Sequence, residues 1–190
     1  MNRLLAIVVP LMLLAGCAAA RSSTSNTATS AHRVLQGDPG EVVVMVFASP
    51  DCPISNALAP EYQRLQAQTE EGGGRFYLVH ARSDVTAKVA SDHAADYRLT
   101  MPIVLDSEHV LVEKMNATVT PEAVVLVFDE GDTWRKAYQG KINDLYASLG
   151  NRRDHPTQFW LRDAIDTSME GGEVEVTYRK PLGCYIERRR

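Results

Sequence analysis

A single α/β domain built on a mixed sheet is what this sequence predicts, and three observations carry the prediction. Residues 42–47 read Val-Val-Val-Met-Val-Phe, a continuous β-branched and aromatic run of the length of a strand buried on both faces. Behind it, Ile54, Leu58, Tyr62 and Leu65 recur at helical spacing. Strand and helix patterns then alternate up to residues 122–139, where two strand-like runs flank Asp129-Glu130-Gly131-Asp132 and read as a hairpin.

In chain order, residues 41–48 form the central strand, expected to be parallel to its neighbour. Ser49-Pro50-Asp51-Cys52-Pro53 is a turn, and Pro53 suits the first turn of a helix, where a missing N–H leaves no bond unmade. Gly72-Gly73-Gly74 stops that helix, and residues 75–80 give a second buried strand. Residues 84–97 read as a helix with Val85, Val89 and Ala90 on its apolar face; 102–106 is a short strand and 110–115 a short helix. Pro121 precedes the strand 122–128, whose hairpin partner is 133–139. Beyond it, 144–149 reads as a short helix, with Asp144 and Lys141 capping or solvating it. Thr157 is placed to cap a longer helix through Met169, with Trp160, Leu161, Ala164 and Ile165 on its apolar face. Residues 173–178 alternate as a half-exposed strand leading to Gly183-Cys184.

The first sixteen residues read as a processing signal. Asn2-Arg3 is a short positive start, and residues 4–14 are an apolar run interrupted by Pro10. A bilayer-crossing helix needs about 20 apolar residues, so this run predicts export rather than a span. Leu14-Ala15-Gly16-Cys17 resembles the lipobox of bacterial lipoproteins, which implies a signal peptide over 1–16 and lipidation of Cys17. Ala18 behind it implies the outer membrane, facing the periplasm, so the lipid is the expected membrane contact. Residues 17–33 are mostly Ala, Ser, Thr and Asn and read as a disordered tether. The domain is therefore expected over 34–190, with a core at 41–139 and an extension at 140–190. A net charge of −4 without a basic stripe offers nothing to nucleic acid, and Arg188-Arg189-Arg190 reads as a solvated end.

With Cys17 lipidated, the domain keeps two thiols, Cys52 and Cys184, in a compartment where disulfides persist. Around Cys52 the sequence resembles the thioredoxin superfamily. Cys52-Pro53-Ile54-Ser55 matches the C-x-x-C position, Pro60 lies eight residues after Cys52, and Thr120-Pro121 matches the cis-proline that faces the active cysteine. The stretch between them, with Tyr97-Arg98-Leu99 and Pro102 to Asp106, resembles the inserted helix and strand of the peroxiredoxin and TlpA-like branches. The resemblance implies a thioredoxin-like fold: a central mixed sheet flanked by helices, here with a C-terminal helix-strand extension. It implies Cys52 as the attacking thiol and Thr120 and Pro121 as the residues that present backbone to a substrate chain. Ser55, which stands where the resolving cysteine would be, is left to hydrogen-bond the Cys52 thiolate.

Three functions stay open. A thiol–disulfide oxidoreductase acting on periplasmic protein thiols or disulfides needs a resolving thiol, and Cys184 is the only candidate left; the pair is a redox couple, a permanent staple or two unpaired thiols. A peroxiredoxin-like peroxidase would oxidise Cys52 to a sulfenic acid. Ser49, three residues before Cys52, matches the Thr/Ser of that branch's motif, but Met45 replaces its proline and Arg135 is only a guess for its arginine. A non-enzymatic binder of metal or protein is the third. Copper-delivery relatives use C-x-x-x-C, and Asn56 stands at their second cysteine. His80, His93, His109 and His155 lack ligand spacing, so no metal and no cofactor is expected.

Overall fold

The computed structural model describes residues 30–188. A short helix α1 (Ala31–Val34) leads into strand β1 (Val42–Ala48), helices α2 (Pro53–Ala57) and α3 (Ala59–Glu71), and β2 (Arg75–His80). Then come α4 (Ala87–Tyr97), β3 (Ile103–Leu105), α5 (Val110–Met115), β4 (Val119–Thr120) and β5 (Glu122–Phe128). A single turn of 3-10 helix separates β5 from β6 (Trp134–Gly140). The extension holds β7 (Tyr146–Ser148), β8 (Asn151–Arg152), α6 (Trp160–Met169), β9 (Tyr178–Arg179) and β10 (Cys184–Tyr185).

The central sheet runs β3-β2-β1-β5-β6-β9. β1, β2 and β3 are parallel, β5 is antiparallel to both β1 and β6, and β9 joins β6 in parallel. Every residue of β1 and β5 is buried, as their continuous apolar runs require. Alternate side chains of β1 divide the core. Val42, Val44 and Val46 pack with Leu58, Tyr62 and Leu65 near α3 and with Leu161 and Ile165 of α6, while Val43, Met45 and Phe47 meet Leu111, Val112 and Met115 of α5. β9 reaches β6 because Gly140, at φ 131°, has no side chain; a Cβ there would lie 1.7 Å from the Arg179 carbonyl oxygen.

Several expectations are corrected. Helix α1 opens at Ala31, and its buried residue is Val34, the first residue of the expected domain. On α4 the buried residues are Ala90, His93 and Ala94, whereas Val89 is exposed. Residues 144–149 form no helix: Tyr146–Ser148 pairs with Asn151–Arg152 across Gly150, whose φ of 77° allows the tight reversal. The reason lies at Asp144, whose carboxylate accepts from the Thr157 N–H (2.6 Å), the Thr157 hydroxyl (2.8 Å) and the Gln158 N–H (2.9 Å). Thr157 is thereby drawn away from α6, which begins at Trp160 with no side-chain cap. Among the described residues no helix is long and apolar enough to cross a membrane. Cys17 and the signal segment lie outside the described residues.

Candidate active site around Cys52 and Cys184

Where β1 ends, its chain turns out of the sheet and Cys52 takes the position before the first residue of α2. Pro53 occupies the first turn, as its missing N–H allows. The Cys52 N–H donates to the Ser49 carbonyl at 3.1 Å, which closes the turn. Helix α2 stops at Leu58 and α3 resumes with Pro60 in its own first turn, so the single helix expected up to Gly72 is broken in two.

Facing Cys52 is β4, followed by a cis Thr120-Pro121 peptide. Its path is held by Glu122, a buried carboxylate that accepts from the Thr118 N–H (2.8 Å), the Thr118 hydroxyl (3.1 Å) and the Val119 N–H (3.3 Å), with Gln139 donating to its other oxygen at 2.5 Å. Behind the Cys52 turn, Asn56 donates to the Pro50 carbonyl at 2.6 Å and accepts from His93 Nε2 at 3.0 Å. His93 lies edge-on to His80, ring centroids 5.2 Å apart, and His80 Nδ1 donates to the Ala48 carbonyl at 3.0 Å. Burial pushes the His80 pKa down to about 4 and also lowers that of His93, so both rings are neutral props for the turn. Among the described residues, their remaining nitrogens, His80 Nε2 and His93 Nδ1, have no hydrogen-bond partner.

The extension delivers the second thiol. β10 pairs antiparallel with β4, Cys184 opposite Thr120, and the Cys184 Sγ stands 2.9 Å from the Cys52 Sγ. Gly183 makes the approach possible, because a Cβ there would lie 1.9 Å from the Thr120 carbonyl oxygen. Cys52 is 1% exposed, whereas Cys184 is an exposed residue.

The two sulfurs differ electrostatically. Burial alone would raise the Cys52 pKa. It is outweighed by hydrogen bonds from the Cys184 thiol, the Ser55 N–H, the Cys184 N–H and the Thr120 side chain, so Cys52 ionises below its ordinary value. As a thiol it donates to the Thr120 carbonyl at 3.0 Å; as a thiolate it gives up that bond and accepts from the others. Cys184 is pushed up to about 11, first by burial, then by its hydrogen bond to Cys52 and the charge there. Of the two sulfurs Cys52 is therefore the one that ionises more readily, with the Cys184 thiol donating to it. Asp51 does not oppose this, because its carboxylate turns outward to an ion pair with Arg82, which also holds Asp84.

Cys52, Cys184, Thr120, Pro121 and Ser49 thus meet at one place. Ser55 joins through its N–H, which donates to the Cys52 sulfur, while its hydroxyl lies 3.4 Å from the Tyr62 hydroxyl. Arg135 pairs with Val127, at the end of the sheet opposite Cys52, and is exposed, so the guess for a peroxide-binding arginine is corrected too. A cavity of about 590 Å³ opens beside the sulfurs, lined also by Arg82, Ser83, His109 and residues 185–188. The sequence reading missed Arg82; its place just beyond the carboxyl end of parallel strand β2 was the available signal. Among the described residues no group of three or more His, Cys, Asp or Glu is arranged to hold a metal ion.

A cysteine at a strand-to-helix turn, set against a cis-proline on a mixed sheet flanked by helices, defines a thioredoxin-like fold. In structure the chain is similar to a hypothetical protein from Sinorhizobium meliloti, with TM-score 0.67 and 19% identity over 79% of this chain and 81% of that one. An uncharacterized conserved protein from Geobacillus kaustophilus is similar at TM-score 0.66 and 19% identity, over 84% and 82% of the two chains. A secreted disulfide oxidoreductase of Mycobacterium tuberculosis aligns at TM-score 0.45 and 19% identity over 70% and 83%. At 19% identity the likeness to the first two is one of fold. No protein-family model matches the sequence, and no curated protein matches it.

Proposed function

We propose that this protein is a thiol–disulfide oxidoreductase of the cell envelope, held there through a lipid on Cys17, whose redox couple is Cys52–Cys184. The observation that carries the reading is the 2.9 Å separation of the two sulfurs, one with a lowered pKa and one with a raised pKa. In the reductive direction the Cys52 thiolate attacks one sulfur of a substrate disulfide. A Cys52–substrate mixed disulfide forms, and the other substrate sulfur leaves as a thiolate that takes a proton from solvent. The negative charge on Cys52 is now gone, and with it two of the causes that held Cys184 protonated. Cys184 then loses its proton and attacks the Cys52 sulfur. The second substrate thiol is released, and both electrons have passed from the protein dithiol to the substrate. Run backwards, the same steps oxidise a substrate dithiol. Ser55 has no thiol with which to close the cycle, so the resolving group comes from outside the C-x-x-S motif.

Insulin reduction with dithiothreitol as electron donor tests this: turnover is expected for the native chain and lost in Cys52→Ala. The peroxidase alternative draws on Ser49, which lines the cavity beside Cys52. Against it, both arginines that line the cavity are already engaged, Arg82 with Asp51 and Asp84 and Arg188 with Asn116 and the Ala117 carbonyl. Hydrogen peroxide consumption by the reduced protein much faster than by free cysteine, without insulin turnover, would move the assignment to a peroxidase.

A further inference from the structure

The strand that carries Cys184 does more than bring a sulfur to Cys52. β4 stands apart from the central sheet, and its strand partner among the described residues is β10. That edge of β4 leads into the cis Thr120-Pro121 peptide and borders Cys52, so it is where an outside chain would lie to present a disulfide to the thiolate. It is filled from within. Ile186 donates its N–H to the Thr118 carbonyl at 3.0 Å, and its side chain is buried with Leu111 and Val112. Arg188 reaches Asn116 Oδ1 at 3.0 Å and the Ala117 carbonyl at 3.3 Å. Gly183 lies so close to the Thr120 carbonyl that no larger residue could follow the same track.

We infer that residues 183–186 are a built-in stand-in for the substrate chain, and that they must leave β4 before an outside polypeptide can dock there. The occupant that fits this track is an extended chain with its cysteine opposite Thr120 and a glycine just before it. The segment is suited to exchange: β10 spans two residues, Tyr185 is 88% exposed, and Pro181-Leu182-Gly183 joins it to the rest of the extension. Resolution and gating are then one motion, since the return of the tail both expels a reduced substrate and brings Cys184 back to Cys52.

This inference rests on the oxidoreductase reading for the identity of the outside chain, but its test does not depend on turnover. The full chain carrying Cys184→Ser, with and without Gly183→Val, is labelled with a polyethylene-glycol maleimide, and modification at Cys52 is followed by peptide mass spectrometry. Gly183→Val is expected to raise the Cys52 labelling rate at least about tenfold, because it forces the tail off β4. If Gly183→Val loses its cooperative thermal transition, Ile186→Ser, which weakens the anchor without touching β4, takes its place with the same expectation. Equal labelling rates in cooperatively folded variants overturn the gate. A native chain inactive on insulin, with Cys52 unmasked by Gly183→Val in the labelling pair, would defeat the oxidoreductase reading and keep the gate; an active native chain with unchanged labelling would do the reverse.

Discussion

Cys52 and Cys184 face each other across 2.9 Å, yet they belong to regions built in different ways. Cys52 follows a fully buried central strand, and its turn is braced by Asn56, His93 and His80. Cys184 rides on a two-residue strand in a segment held by one buried isoleucine and a few hydrogen bonds. The contrast teaches how a C-x-x-S motif can sit in a complete dithiol site. Cys52 has two of its donors, the Ser55 N–H and the Thr120 side chain, in the rigid region, and takes the other two, the Cys184 thiol and N–H, from the tail. In the proposed cycle the resolving sulfur stays protonated until needed and moves aside for a substrate, which calls for exposure and weak anchoring.

Substitution of the rigid partner should have the largest effect. Cys52→Ala is expected to bring insulin reduction down to the rate of dithiothreitol alone. Cys184→Ser should separate the two roles: the first attack stays within about threefold of native in a single-turnover assay, while steady-state turnover falls by at least about tenfold and a Cys52–substrate mixed disulfide accumulates on non-reducing gels. If Cys184→Ser leaves steady-state turnover intact, the division of labour fails. Cys184→Ala removes a donor to the thiolate, so thiolate absorbance is expected to show the Cys52 pKa moving up.

The brace behind Cys52 should be visible in acid. His80 titrates at about 4 when folded and near 6.5 when unfolded, so as pH falls below 6.5 the unfolded chain binds the proton first and stability is lost down to about pH 4. That difference corresponds to at most about 3.4 kcal/mol, and urea unfolding of His80→Asn should lack that acid-side slope. Cys184 acts at the other end of the scale. Its folded pKa of about 11 exceeds the ordinary 9.0, so the reduced protein should lose stability as pH rises from 9 towards 11, and the oxidised protein should not. The smallest effect is expected at Asp51. Its carboxylate is solvent-exposed and paired with Arg82, so Asp51→Asn should change the iodoacetamide rate at Cys52 by less than about twofold.

The two regions also differ in how much of them the sequence announces. β1, β2, α5 and β5 appear where their apolar runs place them, because a strand buried on both faces and a short amphipathic helix are written in local patterns. Thr120-Pro121 and the Cys52 turn are legible for the same reason, each being a few adjacent residues. The extension is decided at long range. Asp144 is bound by residues 13 and 14 positions later, which turns an expected helix into a hairpin and takes Thr157 away from α6. Cys184 meets Cys52 across 132 positions of sequence; Gly183 hinted at a close approach but not at its partner. The Glu122 cluster and the His80–His93 pair gave no local signal, since their partners come from separate elements.

The central claim is that Cys52 and Cys184 form one reversible disulfide. Its most direct test is peptide mapping of the full chain after oxidation by diamide and again after dithiothreitol. The account predicts a two-hydrogen mass loss in a single linked peptide pair joining Cys52 to Cys184, restored in full by the reductant. Oxygen addition at Cys52 with Cys184 still free, or disulfides only between separate molecules, would contradict it.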